Sequence, residues 1–417
     1  MEDNHGLYHA LKEGSVLPIF IFDKNILDKL EDKDDRRVSF IHQQLQNIQS
    51  ELRKLGSDLK VFYSTPDQVF EQLLEEQSIG QVFCNHDYEP YAKERDLAIK
   101  ELLKKKGVSF KHFKDQCILE KDEVLKDDGK PYTVYSPYMR KWKKTLKKSD
   151  LESFESEKQL SGFLKFKTDD IPDLQEMGFV LNLSHIPEKS IDLELIRDYH
   201  NTRDIPSIQG TSRLSMHLRF GTLSIRKLAR IAQKENEKWF NELIWRDFYM
   251  TILWHFPNVV NEAFNPRYRN IEWLHNEEHF EAWKEGRTGY PIVDAGMREL
   301  NETGFMHNRV RMVVASFFTK HLFLNWQLGE AYFARKLNDF ELSSNNGGWQ
   351  WAASTGVDAA PYFRVFNPEL QTRKFDPKLK YIRKWVPEFQ DFSYPKPIVE
   401  HKFARERALR LFKEQLA

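Results

Sequence analysis

A change of hydrophobic period near residue 190 constrains this chain more than any other feature. Before it, short apolar runs at 16–22, 59–63, 81–84 and 108–113 predict strands. Between them, Arg37 to Leu55 and Tyr91 to Lys106 carry apolar residues at helical spacing. Such alternation predicts a doubly wound α/β domain over residues 1–121, a parallel sheet with helices on both faces. Residues 122–189 lose the pattern and predict a charged connector, whose basic stretch from Arg140 to Lys148 reads as a solvated helix face. From Leu193 onward helical periodicity dominates, so residues 190–417 predict an all-α domain.

Composition removes several function classes. A length of 417 residues fits two cores rather than one. No apolar run approaches the roughly 18–20 residues of a membrane span, and Met1-Glu2-Asp3-Asn4-His5 lacks the basic, apolar pattern of a secretory signal. Cys84 and Cys117 are the only cysteines, too few for a disulfide framework or a four-cysteine cluster. A cytoplasmic, reducing location is the resulting expectation; a monomer is expected as well, though nothing in the composition requires it. Lys plus Arg equals Asp plus Glu at 63 each, which leaves room for a local basic face but forces none. No His pair sits in a His-Glu-x-x-His frame, and no Gly-x-Ser-x-Gly elbow or Walker loop occurs, so no metal is expected. Aromatic residues make up 13%, and most of the 10 Trp lie after residue 238.

Four constellations in the helical half carry chemistry. Thr211, Ser212, Arg213, Leu214 and Ser215 follow Gly210 ahead of a helical run, an N-cap pattern that also suits a diphosphate. In the run from Asn241 to Tyr249, Glu242, Trp245, Arg246 and Tyr249 share one helical face. A dry core would not accept those charges unpaired, whereas a flat aromatic beside a carboxylate and a guanidinium suits an extruded base. Asn308, Arg311 and Met312 align on another face. Finally, the run from Asn338 to Pro368 packs Asn345, Asn346, Gly347, Gly348, Trp349 and Trp351 together, with glycines that permit close approach to a ligand.

These residues resemble the DNA photolyase/cryptochrome family, and within it the class I cyclobutane pyrimidine dimer (CPD) photolyases. Trp349 to Pro368 is the most specific stretch, with weaker similarity across the first third and Tyr132 to Tyr138. The resemblance implies a U-shaped FAD in the helical domain, active in its reduced form. Tyr199 and Thr211 to Ser215 would hold its phosphates, with Arg311, Asp339, Phe340, Glu341 and Asn345 around the flavin. It implies UV-damaged DNA as partner and a flipped dimer walled by Glu242, Trp245, Asn308, Met312 and Trp351. Arg203, Arg246, Arg309 and Arg364 would meet the DNA, and Trp349, Trp326 and Trp273 match the family's electron-carrying tryptophan chain. Asn308 stands where (6-4) photolyases usually place a His, and Asn345 where plant cryptochromes carry Asp. A cryptochrome-like blue-light photoreceptor is the alternative. Members also begin with an apolar strand ahead of the counterpart of Glu2, so the sheet is expected to lack its first strand. Tyr91 and Ala92 occupy the Asn-Glu positions of folate-binding members, which leaves a second antenna chromophore of folate or deazaflavin type unidentified.

Overall fold

The computed structural model describes residues 1–416. The chain divides into two compact units, each assembled from separate stretches. The first comprises Met1–Glu120, Leu146–Lys189 and His217–Arg230; the second comprises Lys121–Thr145, Ser190–Met216 and the chain from Ile231 onward. The expected connector is therefore shared between them. Its helix Tyr135–Thr145 belongs to the second unit, where Trp142 of the basic stretch is fully buried and donates to Asp247 at 3.1 Å.

In the first unit the apolar runs form β1 (Ile19–Asp23), β2 (Lys60–Ser64), β3 (Gln81–Asn85) and β4 (Ser109–Phe113). Helices Arg36–Lys54, Pro66–Glu76 and Pro90–Lys105 lie between them in sequence. The strands are parallel, as helical crossovers require, but they pair as β1–β2 and β3–β4 in two separate sheets. A shared apolar cluster still joins both pairs: Ile19, Ile21 and Phe62 pack with Val82, Phe110, Ile99 and Leu103. Arg226 closes the unit from far along the chain, bonding Asp3 at 3.0 Å and Asp115 at 2.7 Å from a buried position.

The second unit is helical. Its core gathers Trp283, Val293, Leu300, Val314, Phe318, Trp326 and Trp349. Helix Leu342–Ala353 is central to the site, packing against Glu237–His255, Asn308–Ser316 and Trp326–Lys336. Close approach there depends on glycine: a Cβ on Gly347 would lie 2.2 Å from the Tyr249 ring, and one on Gly329 would lie 2.2 Å from Trp349. Among the described residues no helix is long and apolar enough to cross a membrane.

Candidate functional site

Helix Glu237–His255 starts at Asn236, whose side chain caps the amides of Lys238 and Trp239. It presents Glu242, Trp245, Arg246 and Tyr249 as half-buried side chains. Arg203 donates to Glu242 Oε1 at 2.6 Å and also lies 5.2 Å from the ring centre of buried Tyr199. Burial pushes the Glu242 carboxyl above its ordinary value, and the Arg203 guanidinium only partly offsets this. Trp245 lies flat on Tyr135, with ring centres 3.5 Å apart and planes 6° from parallel. The Tyr135 hydroxyl in turn donates to the Asn241 carbonyl at 2.9 Å, so the indole plane is fixed before any ligand arrives.

Helix Asn308–Ser316 carries the third constellation. Asn308 is exposed at its first turn, capped by His307, while Arg311 and Met312 are half-buried. Arg311 donates to the Met306 carbonyl at 2.7 Å and to Asp339 at 3.1 Å, and Asp339 also accepts from Ser215 at 2.7 Å. Three residues expected near the cofactor are thus tied together. Arg309 pairs with Asp204 at 2.7 Å and sits 4.4 Å over Phe375. Arg364 is exposed, and Arg246 is half-buried.

Helix Leu342–Ala353 begins at Glu341, whose carboxylate accepts from the amides and hydroxyls of Ser343 and Ser344. Glu341 therefore works as a cap, which its sequence position alone did not reveal. Most of the helix is buried, including Gly347, Trp349 and Gln350. Asn345 and Trp351 are half-buried, and Gly348 is exposed with nothing within 4 Å of an added Cβ. An open glycine between these residues leaves a cradle on one side of an otherwise packed helix.

Trp349 and Trp326 are 2% and 3% exposed, whereas Trp273 packs on the same cluster from a half-buried position. Trp349 Nε1 is buried without a hydrogen-bond partner among the described residues. Sequence reasoning missed four residues. Trp283 lies 6.0 Å from Trp349 by ring centres, and Tyr135 supports Trp245. Buried Lys320 donates to the carbonyls of Pro361 at 3.3 Å and Arg364 at 3.0 Å, and burial lowers its pKa to about 7. Glu330 accepts from Asn345 Nδ2 at 3.0 Å. The pairing of Asn345 with a carboxyl fifteen positions back carries no local signature; the only signal was an acidic residue amid the apolar positions of helix Trp326–Lys336.

Burial raises the Glu330 carboxyl from its ordinary 4.5 to about 7, with the Asn345 amide opposing. Its folded value exceeds its unfolded value, so the folded state binds more protons between the two. Glu330 therefore contributes stability that is fully present below about pH 4.5 and lost as pH rises through about 7. We expect the unfolding free energy of the wild type to fall across this window by an amount that Glu330→Gln removes, on the order of 1–3 kcal/mol, with a matching drop in thermal midpoint. Equal pH slopes for both proteins, in melts from pH 5 to 8, would mean that Glu330 is ionised when folded.

The donor set fits FAD. Gly348 leaves space beside the Asn345 amide, suited to a flat ring. Thr211 and Ser212 are half-buried and Ser215 exposed, offering hydroxyls to a diphosphate. Arg213 adds a cation, held 4.3 Å over Phe305 with a left-handed backbone (φ 52°).

Similarity to known proteins runs the length of the chain. Residues 239–393 match the family model described as the FAD binding domain of DNA photolyase, and residues 1–157 match that of DNA photolyase. A deoxyribodipyrimidine photo-lyase of Halobacterium salinarum is 37% identical, covering 96% of this chain and 92% of its own. Among solved structures, an archaeal photolyase from Sulfolobus tokodaii with two FAD molecules superposes with a TM-score of 0.85 at 36% identity, over 99% of this chain and 97% of its own. A bacterial class III photolyase from Agrobacterium tumefaciens gives 0.86 at 30% identity, over 99% and 95%. With these matches, and with hydroxyls, cations and an open cradle arranged as an FAD site requires, the chain belongs to the DNA photolyase family.

Proposed function

We propose that this protein is a CPD photolyase of class I type: it binds UV-damaged DNA and splits pyrimidine dimers with light. The supporting observation is the Glu242–Arg203 pair beside a Trp245 ring already stacked on Tyr135. When bound, reduced FAD supplies the absorption of light and the electron that opens the dimer. The remaining work falls to side chains. Trp245 offers a flat apolar wall whose orientation costs nothing at binding, because Tyr135 holds it. Glu242, with its carboxyl pushed towards the protonated form, donates a hydrogen bond to a dimer carbonyl and stabilises negative charge developing there. Arg203 keeps Glu242 in place rather than reaching for the DNA backbone. Asn345, Arg311, Asp339 and Ser215 would hold the cofactor, with Asn308, Met312 and Trp351 completing the dimer pocket. We extend the reading to a monomer in the cytoplasm, a reducing compartment that suits the free Cys84 and Cys117.

Irradiation of reduced enzyme with oligonucleotides carrying either a CPD or a (6-4) product tests the subclass. Repair confined to the CPD is expected. Preferential repair of the (6-4) product would overturn the subclass.

Exposed Arg364 is the best placed of the four candidate arginines to meet a phosphate. Arg364→Ala is expected to weaken damaged and undamaged DNA alike and to reduce the slope of log affinity against log salt by about one unit. Titrations at several salt concentrations check this; a loss confined to damaged DNA would instead put Arg364 at the dimer.

A further inference from the structure

The sheet face that packs on helix Pro90–Lys105 changes character at its carboxyl end. Along β3, Val82 and Cys84 point to one side, and along β4 so do Phe110 and His112, because alternate residues share a face. Val82 pairs with Phe110 and Cys84 with His112 in the parallel ladder. Val82 and Phe110 join the apolar cluster with Ile99 and Leu103 of the helix, while the next rung carries a thiol and an imidazole. The helix departs from its own pattern at the same level. Ala92, Ile99 and Leu103 are its buried row, and Asp96 occupies the remaining position of that row. A thiol sulfur, an imidazole nitrogen and a carboxylate oxygen from these three elements lie within 4.8 Å of one another.

Hydrogen bonding among the described residues leaves two of the three donor atoms open, the Cys84 sulfur and one Asp96 oxygen. Arg95 donates twice to Asp96, at 2.9 and 2.8 Å, and both bonds go to Oδ1. Among the described residues neither Asp96 Oδ2 nor Cys84 Sγ has a hydrogen-bond partner. Neighbouring His86 is engaged elsewhere, donating from Nδ1 to the Glu120 carboxylate at 3.0 Å. A nucleophilic Cys–His pair is a poor alternative, since a carboxylate beside the sulfur opposes a free thiolate.

The geometry points to a divalent-metal site at Cys84, Asp96 and His112, with zinc as the ion its sulfur, nitrogen and oxygen donors suit. Three protein ligands and a fourth position for water form a recurrent zinc arrangement. Tetrahedral ligands at zinc bond lengths lie about 3.3–3.8 Å apart, so no pair of the three has to close by more than about 1.5 Å. On binding, the Cys84 sulfur–hydrogen bond breaks, its electron pair forms the sulfur–zinc bond and the proton leaves to solvent. Arg95 fixes the carboxylate from behind through Oδ1. The site cross-links β3, β4 and the helix between them.

The full-length flavoprotein, freed of metal by chelator dialysis, is titrated with Zn²⁺ by calorimetry in two buffers and assayed by elemental analysis. One equivalent is expected, with release of about one proton. Cys84→Ser, His112→Gln and Asp96→Asn should each weaken binding by about tenfold or more. A thiol reagent gives an independent reading on the unmutated protein: Cys117 is 1% exposed, so native labelling reports Cys84, and Zn²⁺ should slow it. If Cys84→Ser does not fold, this protection in wild type and its loss in Asp96→Asn decide the matter. No zinc-dependent protection at micromolar Zn²⁺, or unchanged affinity in His112→Gln, would overturn the site.

Discussion

Gly348→Leu should yield a folded protein that no longer retains FAD. The position is exposed within helix Leu342–Ala353, and an added Cβ there meets nothing within 4 Å. The unliganded chain can therefore take the larger side chain, and leaving glycine behind in a helix interior favours folding by roughly 0.5–1 kcal/mol. The same space is what a flavin beside Asn345 would occupy. Filling it forces overpacking of about 3 kcal/mol, or more than about 100-fold in affinity at 1.4 kcal/mol per tenfold. The measurement is flavin content after gel filtration, with circular dichroism and thermal melting to confirm folding. Gly347→Leu is the contrasting variant: its Cβ already meets Tyr249 at 2.2 Å, so it should lose stability as well as FAD. A Gly348→Leu protein that keeps its flavin would place the cofactor elsewhere.

Trp245→Ala should weaken binding of dimer-containing DNA by about 5- to 150-fold, the equivalent of roughly 1–3 kcal/mol for one base–aromatic stack. Undamaged DNA should change little, and flavin content should stay near that of wild type. The Tyr135 stack makes this sharper than it would be for an isolated indole. Two effects of truncation have to be separated: loss of the wall against the substrate and loss of the ring that Tyr135 packs on. Trp245→Phe keeps a ring against Tyr135 and should recover much of the affinity, whereas Tyr135→Leu leaves the indole without its support and should have an intermediate effect. Binding titrations with matched damaged and undamaged oligonucleotides read out all three. Equal losses on both DNAs would remove Trp245 from the dimer pocket.

The sequence was most legible where one physical constraint dominated. Burial between helices makes a parallel strand a short apolar run, so β1 to β4 stand within three residues of their expected starts. Helices Arg36–Lys54 and Pro90–Lys105 likewise follow their apolar spacing. Strand pairing was not legible, because it depends on which edges meet; the result is two separate parallel pairs. Nor was the division into units, since His217–Arg230 joins the first unit through contacts such as Arg226 with Asp3, more than two hundred positions apart.

The same distinction runs through the site. Glu242, Trp245 and Tyr249 were recognisable as one face because helical periodicity is local. Arg203 as the partner of Glu242, Tyr135 beneath Trp245 and Glu330 behind Asn345 were not, because each joins different elements through tertiary contact. Asp96 gave a sequence signal that was left unused: a carboxylate on the buried row of its helix. Its companions Cys84 and His112 stand on different strands and form no spacing motif.

The central claim is light-driven dimer repair by the helical unit, and one measurement bears on it most directly. Fully reduced, FAD-loaded protein is mixed in the dark with a duplex containing a single thymine CPD, then exposed to single flashes of blue light while intact thymine is counted. The account predicts no repair in the dark, a fixed increment of repair with each flash, and a smaller increment for Glu242→Ala at saturating DNA. Binding of the duplex without any light-dependent repair by that protein would contradict it.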